Sequence, residues 1–528
     1  MKRIAVDLTP LLPGGDNGGA KPLAIELLRR MAAARPQCEL TLLTNEKSHA
    51  ELALLDAPHV RRLCVSRPEN APTVARRRAL QIRALLLKLL PESAVRRIGE
   101  WYAGRADEPP PPTPLLRQIQ ADLLFCPFTG ALFYDPAVPL VSLVHDLQYL
   151  YYPEFFDPAD RAERDRHFRQ VCRVAARVVC VSGFTRASVL EKSDLPGERV
   201  IAIPSAPQKR LGPVPDGRGP ESGGAERRGR YLLYPANFWR HKNHEMLLIA
   251  FGMYRAAHPP SDLKLVLTGA PSPRRDELIE AARRMGLSAW VDFPGYLPER
   301  EFAALLAGCQ AMIFPSLFEG FGMPVAEAMA AGIPVLASDR TSLPEIAGDG
   351  ALLFDPRRPD AIVAAIERLE SDPAVRAGLI ERGRRRAAEF QTPEQWAARF
   401  WEVFADAIER PLERAAGVYG VFPDSWTGDR ITVVYGAGAT PRRLAVTLLA
   451  PQWLPSKTIA IQTPRETHRI PRGERKTIAL DLPAKAGAIE LLCSPVFHPG
   501  GGDHRALGCM LEAAEIEGTP LPREVHAA

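Results

Sequence analysis

The sequence predicts two doubly wound α/β units followed by an all-β module. Three observations carry that expectation. Residues 3–44 run strand, loop, helix, strand, the opening of a parallel α/β sheet. The same alternation restarts at Tyr231, after a stretch from 206 to 230 rich in Pro, Gly and charge that reads as a linker. Beyond residue 410 the helical periodicity stops, and short apolar runs follow at even spacing between Gly and Pro turns.

The 528 residues are 46% hydrophobic and 24% charged, an ordinary globular composition with room for more than two domains. A formal charge of +5 is small for this length and gives no reason to expect nucleic acid as a partner. The eight cysteines include no Cys-x-x-Cys pair, so neither a zinc nor a redox motif is indicated. Cys126 and Cys180 lie in apolar runs and are expected as buried thiols. Arg3 begins a strand at once, without a signal peptide, and no apolar run approaches the ~20 residues of a membrane helix. A cytoplasmic protein, soluble or peripheral, is expected.

Arg3 to Leu8 reads as the first strand and Thr9 to Ala20 as a loop carrying Gly14-Gly15 and Gly18-Gly19. Pro22 to Ala34 reads as a helix with Leu23, Leu27 and Leu28 on one face, and Glu39 to Thr44 as the next strand. The glycines do not form GxGxxG, so a dinucleotide site is not indicated. Residues 73–102 interleave Arg76, Arg77, Arg78, Arg83, Lys88, Arg96 and Arg97 with leucines. A basic amphipathic helix of this kind suits an anionic membrane surface, and suits equally a packed helix with solvated arginines. Pro109 to Pro114 is an exposed loop.

Ala121 to Cys126 and Leu140 to Val144 read as buried strands, the second running into His145-Asp146-Leu147. The carboxyl end of a parallel strand is where ligands bind in such sheets. Asp146 would orient the imidazole or cap the following turn. Asp160 to Ala176 reads as a helix, Arg177 to Ser182 as a strand with Ser182 as N-cap of the next helix, and Arg199 to Ile203 as the last strand of this unit.

Tyr231 to Pro235 opens the second unit, and Asn237-Phe238-Trp239-Arg240-His241-Lys242-Asn243 leads into a helix. Leu263 to Thr268 and Val291 to Phe293 are strands, and Glu301 to Ala307 a helix. Ala311 to Phe314 is an apolar run that fits a buried strand. A tight loop follows through Glu319-Gly320-Phe321-Gly322. Pro324 suits the first helical position, Gly332 the helix end, and Ile333 to Ser338 the next strand. Such a helix start offers free N–H groups and partial positive charge, which favour phosphate. Glu319 falls on the loop and Glu327 in the first helical turn. Two carboxylates cannot both face a phosphate, so neutral hydroxyls are their expected partners. Helices Pro359 to Leu369, Pro373 to Phe390 and Pro393 to Ile408 follow, the last with Trp396, Phe400, Trp401 and Phe404 to bury. Then come strands Ile431 to Tyr435, Leu444 to Leu449, Thr458 to Ile461, Thr477 to Leu482 and Ala488 to Cys493, expected as an antiparallel β-sandwich.

The run Glu319, Phe321-Gly322, Glu327-Ala328, unbroken through Pro334, resembles the signature of retaining, GT-B fold, family 4 glycosyltransferases. Ser182-Gly183-Phe184-Thr185, Lys242-Asn243 and Ser342-Leu343-Pro344-Glu345-Ile346 resemble further steps of that family, up to about residue 410. The resemblance implies that Glu319 meets donor-sugar hydroxyls, that Glu327 holds the ribose, and that Gly320, Phe321, Gly322, Met323 and Val325 line the diphosphate. It implies a phosphate contact for Lys242, with Arg240 two residues upstream as a second cation, and a sugar-facing role for His145. Gly18 and Gly19 fall on the loop that faces acceptor and phosphates. Pro204-Ser205-Ala206-Pro207 departs from the Pro-Asn-Gly of many relatives. The tail, with Asp503-His504-Arg505-Ala506-Leu507-Gly508, is similar to modules appended to bacterial polysaccharide glycosyltransferases.

The expected architecture is GT-B: a Rossmann-like acceptor domain (1–205), a linker (206–230), a Rossmann-like donor domain (231–390), a helix crossing back (391–410) and a sandwich-like β domain (411–528). The expected reaction moves a hexose from a nucleotide-sugar to a hydroxyl of a growing glycan with retention. His145-Asp146-Leu147 is common among mannosyltransferases of the family, which makes GDP-mannose the first donor to expect. The acceptor is a glycan, with a lipid-linked one suiting a membrane contact through 73–102. No Asp-x-Asp pair occurs, so neither a metal nor another cofactor is expected. A phosphorylase or an epimerase fits the residues less well. The alternative is a catalytically silent glycan-binding or scaffold protein of a polysaccharide assembly system.

Overall fold

The computed structural model describes residues 2–13, 18–65, 115–135, 137–207, 229–411, 417–422, 424–436, 438–484, 487–497 and 507–525. The basic segment 73–102, the proline loop 109–114, Gly14-Gly15, most of the linker and Asp503–Ala506 lie outside these residues.

The first sheet holds seven parallel strands in the order β3-β2-β1-β4-β5-β6-β7. They are β1 (Arg3–Asp7), β2 (Glu39–Thr44), β3 (Val60–Cys64), β4 (Leu123–Cys126), β5 (Leu140–Val144), β6 (Ala175–Cys180) and β7 (Val200–Ala202). The second holds six in the order β10-β9-β8-β11-β12-β13: β8 (Tyr231–Pro235), β9 (Lys264–Thr268), β10 (Val291–Gly295), β11 (Ala311–Phe314), β12 (Val335–Ser338) and β13 (Ala351–Phe354). Apolar runs such as Leu123–Cys126 and Ala311–Phe314 are buried throughout, as strands covered on both faces must be. Each strand order reverses once, at β1/β4 and at β8/β11, and ligand crevices open at such switch points. This is the GT-B arrangement.

Several boundaries differ from the sequence reading. The helix expected from Pro22 starts at Ala20, with Gly19 as its N-cap. The helix expected over Asp160–Ala176 spans Pro158–Val174, because Asp157 caps it, accepting from Ala159 N at 2.8 Å. β6 starts at once at Ala175, with no punctuating residue between the two periods. Glu327 is not in the first helical turn. That helix spans Met323–Ala330, which makes Glu327 its fifth residue, buried at 8% exposure. Gly322 stands before the helix at φ +97, where any Cβ would meet Leu343 Cδ2 at 2.5 Å.

The helix Pro393–Glu409 returns to the first domain. Phe400 and Phe404 pack on Phe125 of β4, with centroids 5.7 and 5.1 Å apart. Trp401 Nε1 donates to Met31 O at 3.1 Å, and Arg30 pairs with Glu394 at 2.7 Å. The chain thus enters the first domain twice.

Beyond the second domain lie β14 (Gly417–Val421), β15 (Thr427–Tyr435), β16 (Arg442–Leu449), β17 (Thr458–Gln462), β18 (Thr467–Pro471), β19 (Arg475–Leu482), β20 (Gly487–Ser494), β21 (Met510–Ile516), β22 (Thr519–Pro520) and β23 (Arg523–Val525). They form two sheets, ordered β18-β17-β20-β15-β14-β23 and β19-β16-β21-β22, around a core of their own that includes Ile431, Val433, Leu444, Leu480 and Leu491. Among the described residues the sandwich is antiparallel except for one pair: β14 (Gly417–Val421) runs parallel to β23 (Arg523–Val525). The module docks on the first domain through Arg117, whose guanidinium holds buried Asp135 (Nη2–Oδ1 2.8 Å) and also Glu490 of β20. No helix among the described residues is long and apolar enough to cross a membrane.

Candidate functional site

The site is built where two loops leave adjacent strands at the β8/β11 switch point. After β8 the chain makes a one-turn 3₁₀ segment, Arg240–Lys242, and Asn243 turns it at φ +61 into the helix His244–Ala257. After β11 it makes the loop through Glu319 and Gly322. The two loops are stitched together. Leu317 N donates to His241 O at 2.7 Å, Asn243 Nδ2 donates to Pro315 O at 3.1 Å, and the Tyr234 hydroxyl donates to Lys242 O at 2.8 Å.

That stitching brings Lys242 Nζ to 2.6 Å from Glu319 Oε1, each side chain being 12% exposed. Thr341 Oγ1 accepts from Glu319 N at 3.0 Å, and Ser342 Oγ donates to the carbonyls of Glu319 and Phe321. The loop backbone is fixed by its own second layer. The N–H groups of Gly320, Phe321, Gly322 and Met323 have no acceptor among the described residues and lead into the helix start, an arrangement suited to an anion. Arg240 is exposed and meets no partner among the described residues.

His145 follows β5 and faces this loop from the first domain. Its Nε2 lies 2.8 Å from Pro127 O. A carbonyl only accepts, so the proton sits on Nε2 and Nδ1 is left as an acceptor. Burial lowers the imidazole pKa, so the ring is neutral near pH 7. Asp146 does not orient the ring: its carboxylate caps the next turn, accepting from Gln148 N at 2.9 Å.

The first domain grips the loop at Gly320. Ser182 Oγ and Thr185 Oγ1 donate to Gly320 O at 2.6 and 3.1 Å, and Ser182 Oγ also caps the helix Gly183–Glu191. Glu345, from the second domain, accepts from Gly183 N and Phe184 N, both at 2.8 Å. Phe318 packs among Tyr151, Tyr152 and Phe184 of the first domain. Gly18 sits at φ +54 under Trp239, whose Cη2 would lie 2.4 Å from a Cβ there, while Gly19 faces open space. Trp239 itself is 43% exposed.

The structure therefore joins Lys242 to Glu319, His145 to Gly320 and Gly18 to Trp239, while Glu327 lies one turn deeper along its helix and Arg240 stands apart. Trp239 and Glu345 carry no expectation in the sequence reading. Both act across the interdomain cleft, and no local pattern marks such a contact.

The chain matches two family models: Glycosyltransferase Family 4 over residues 17–206 and Glycosyl transferases group 1 over residues 220–386. The chain belongs to the group 1, family 4 glycosyltransferases. Among relatives of this glycosyltransferase, the O-antigen chain mannosyltransferase B of Escherichia coli is 29% identical over 264 residues, 47% of this chain and 66% of the relative. The MMP alpha-(1->4)-mannosyltransferase of Mycolicibacterium hassiacum is 38% identical over 152 residues, 28% of this chain and 36% of the relative. These matches span about two thirds and about one third of the relatives' lengths. The sucrose-phosphate synthase of Thermosynechococcus elongatus superposes with a TM-score of 0.56 at 19% identity, covering 78% of this chain and all of that one, a likeness of fold.

Proposed function

We propose that this glycosyltransferase moves a hexose, mannose from GDP-mannose in the first instance, to a hydroxyl of a growing glycan with retained configuration. The observation that carries the reading is the Lys242–Glu319 pair set beside the unpartnered N–H groups of residues 320–323. The Glu319 carboxylate holds Lys242. A diphosphate on the loop amides draws Lys242 to itself and frees Glu319 for the sugar hydroxyls. Glu327, buried one turn further, is assigned the ribose, and Arg240 an outer contact with the nucleotide.

The chemistry is electrostatic. The C1–O bond to phosphate breaks, and the departing charge is stabilised by Lys242 and the amides. The acceptor oxygen bonds to C1 on the same face, and its proton passes to the leaving phosphate oxygen. Neutral His145 offers Nδ1 to a sugar hydroxyl. No metal takes part in this proposed step. The acceptor is assigned to the first-domain face of the cleft, beside Gly18 and Gly19. The proposed setting is the assembly of a bacterial surface polysaccharide at the cytoplasmic face of the membrane; the O-antigen chain in the name of one relative supports the polysaccharide.

The test is a thermal-shift screen against GDP, UDP, ADP and their sugar conjugates, followed by transfer assays with the donor that binds. A ligand at 100-fold its dissociation constant stabilises by about 2.7 kcal/mol. One nucleotide family is expected to stabilise the wild type and to lose its effect in Glu327→Ala. If none stabilises the folded protein, the scaffold reading replaces the enzyme.

A further inference from the structure

We propose that Cys493 and Cys509 are an oxidative cross-linking site, whose disulfide ties together the two sheets of the β module. Cys493 is the seventh residue of β20, in the six-stranded sheet. Cys509 directly precedes β21, in the four-stranded one. Their sulfurs are 3.5 Å apart, and the residues are 4% and 0% exposed. Two side chains placed this way need only small side-chain rotations to reach the ~2.05 Å of an S–S bond.

The surroundings hold the two thiols in place. Thr427 Oγ1 lies 3.8 Å from Cys493 Sγ and 3.5 Å from Cys509 Sγ, and accepts from Cys509 N at 3.1 Å. Thr427 N donates to Cys509 O at 2.7 Å, and Gly508 N to Thr427 O at 2.8 Å, so the backbone carrying Cys509 is pinned to that strand. A Cβ on Gly508 would lie 2.7 Å from Cys493 Cβ, so the chain at 508 is pressed against the partner cysteine and only glycine fits there. The hydrogen bond with Cys509, and then burial, push the Cys493 thiol well up, while the hydrogen bond from Cys493 lowers Cys509. Cys509 is thus the sulfur favoured as thiolate, the attacking species.

The oxidant is a two-electron thiol reagent such as the diazene diamide. The Cys509 thiolate adds to one nitrogen of its N=N bond. Cys493 sulfur then attacks Cys509 sulfur, the S–N bond breaks as S–S forms, and both thiol protons end on the reagent, now a hydrazine. β20 also carries Glu490, the residue that Arg117 holds, so the cross-link stiffens the strand by which the module docks.

The test treats the full-length protein with diamide, removes the reagent, unfolds it and counts thiols, with a peptide map for connectivity. The reduced chain holds eight cysteines. The expected result is six thiols and a single cross-linked peptide pair containing 493 and 509. Cys64 is exposed, so Cys64→Ser removes the competing surface thiol and is expected to go from seven to five. The oxidised module is expected to melt roughly 10 °C higher than the reduced one. Cys509→Ser is expected to lose no thiol pair; if that variant does not fold, the wild-type peptide map decides alone. Eight thiols after treatment, or bridges through other cysteines only, overturn the proposal.

Discussion

A Cβ placed on Gly320 would lie 1.9 Å from the carbonyl oxygen of His145, so the loop through Gly320 and the end of β5 touch backbone to backbone across the domain boundary. Gly320→Ala is expected to wedge the domains apart. Shifts of about 1 Å at a reacting centre cost roughly 100-fold in rate. Transfer is therefore expected to fall by about that factor, while nucleotide affinity, which the proposal assigns to the second domain, changes little. A transfer assay beside a nucleotide titration reads both.

Lys242 and Glu319 neutralise one another in a nearly enclosed place. Removing one partner strands the other's charge. Lys242→Met is expected to lower stability by about 2 kcal/mol and nucleotide affinity at least about tenfold. The double variant Lys242→Met with Glu319→Leu regains stability but not affinity. Denaturant melts with nucleotide titrations separate the two effects.

His244 is fully buried against Tyr234 and Phe238, and neither ring nitrogen has a hydrogen-bond partner among the described residues. Burial pulls its pKa from 6.5 to about 3, with Lys242 and Arg274 adding to the shift. The unfolded ring takes a proton below about 6.5 and the folded ring does not until about 3, so stability falls as pH drops through that window. Between pH 7 and pH 5 this group alone removes about 2 kcal/mol. His244→Leu is expected to flatten the acid limb of the stability profile by that amount, measured by denaturant melts at each pH.

Glu345 caps the helix Gly183–Glu191 from the other domain. Loss of a cap is worth about 1 kcal/mol. In Glu345→Ala the amides of Gly183 and Phe184 are expected to exchange with deuterium roughly fivefold faster, while the second domain's own helices keep their protection. Unchanged exchange at those two amides would show that the contact does not hold the domains in solution.

Arg117 serves Asp135 and Glu490 together. Asp135 is only 3% exposed, so Arg117→Ala leaves a buried carboxylate unpaired and is expected to cost about 3 kcal/mol. Glu490→Ala leaves Asp135 paired and costs about 1 kcal/mol or less. Equal losses would contradict this ordering.

What could be read in advance was local. The strand–loop–helix around Glu319 and Gly322 declares itself because glycine, proline and an apolar run each impose a backbone choice. Lys242 and His145 stand out by residue type at strand ends. The meeting of Lys242 with Glu319 is a long-range consequence of β8 and β11 lying side by side. Glu345 on Gly183, Trp239 over Gly18 and Arg117 on Glu490 depend on how whole domains dock, which no periodicity encodes. The misplaced start of β6 has a simpler cause: at Val174–Ala175 one period replaces another with no turn residue between them. Glu327 lies deeper than its sequence suggests because Pro324 occupies the second helical position, not the first.

The return of helix Pro393–Glu409 to the first domain also orders events on the ribosome. Phe125 lacks Phe400 and Phe404 until those residues have been made, so the earliest-synthesised sheet waits with an uncovered flank while the second sheet, contiguous in sequence, completes itself. Domains fold as units when their chain is available. Here the domain that begins first is completed only after the second, and a nascent chain halted before residue 393 presents a finished second domain joined to a first domain still open.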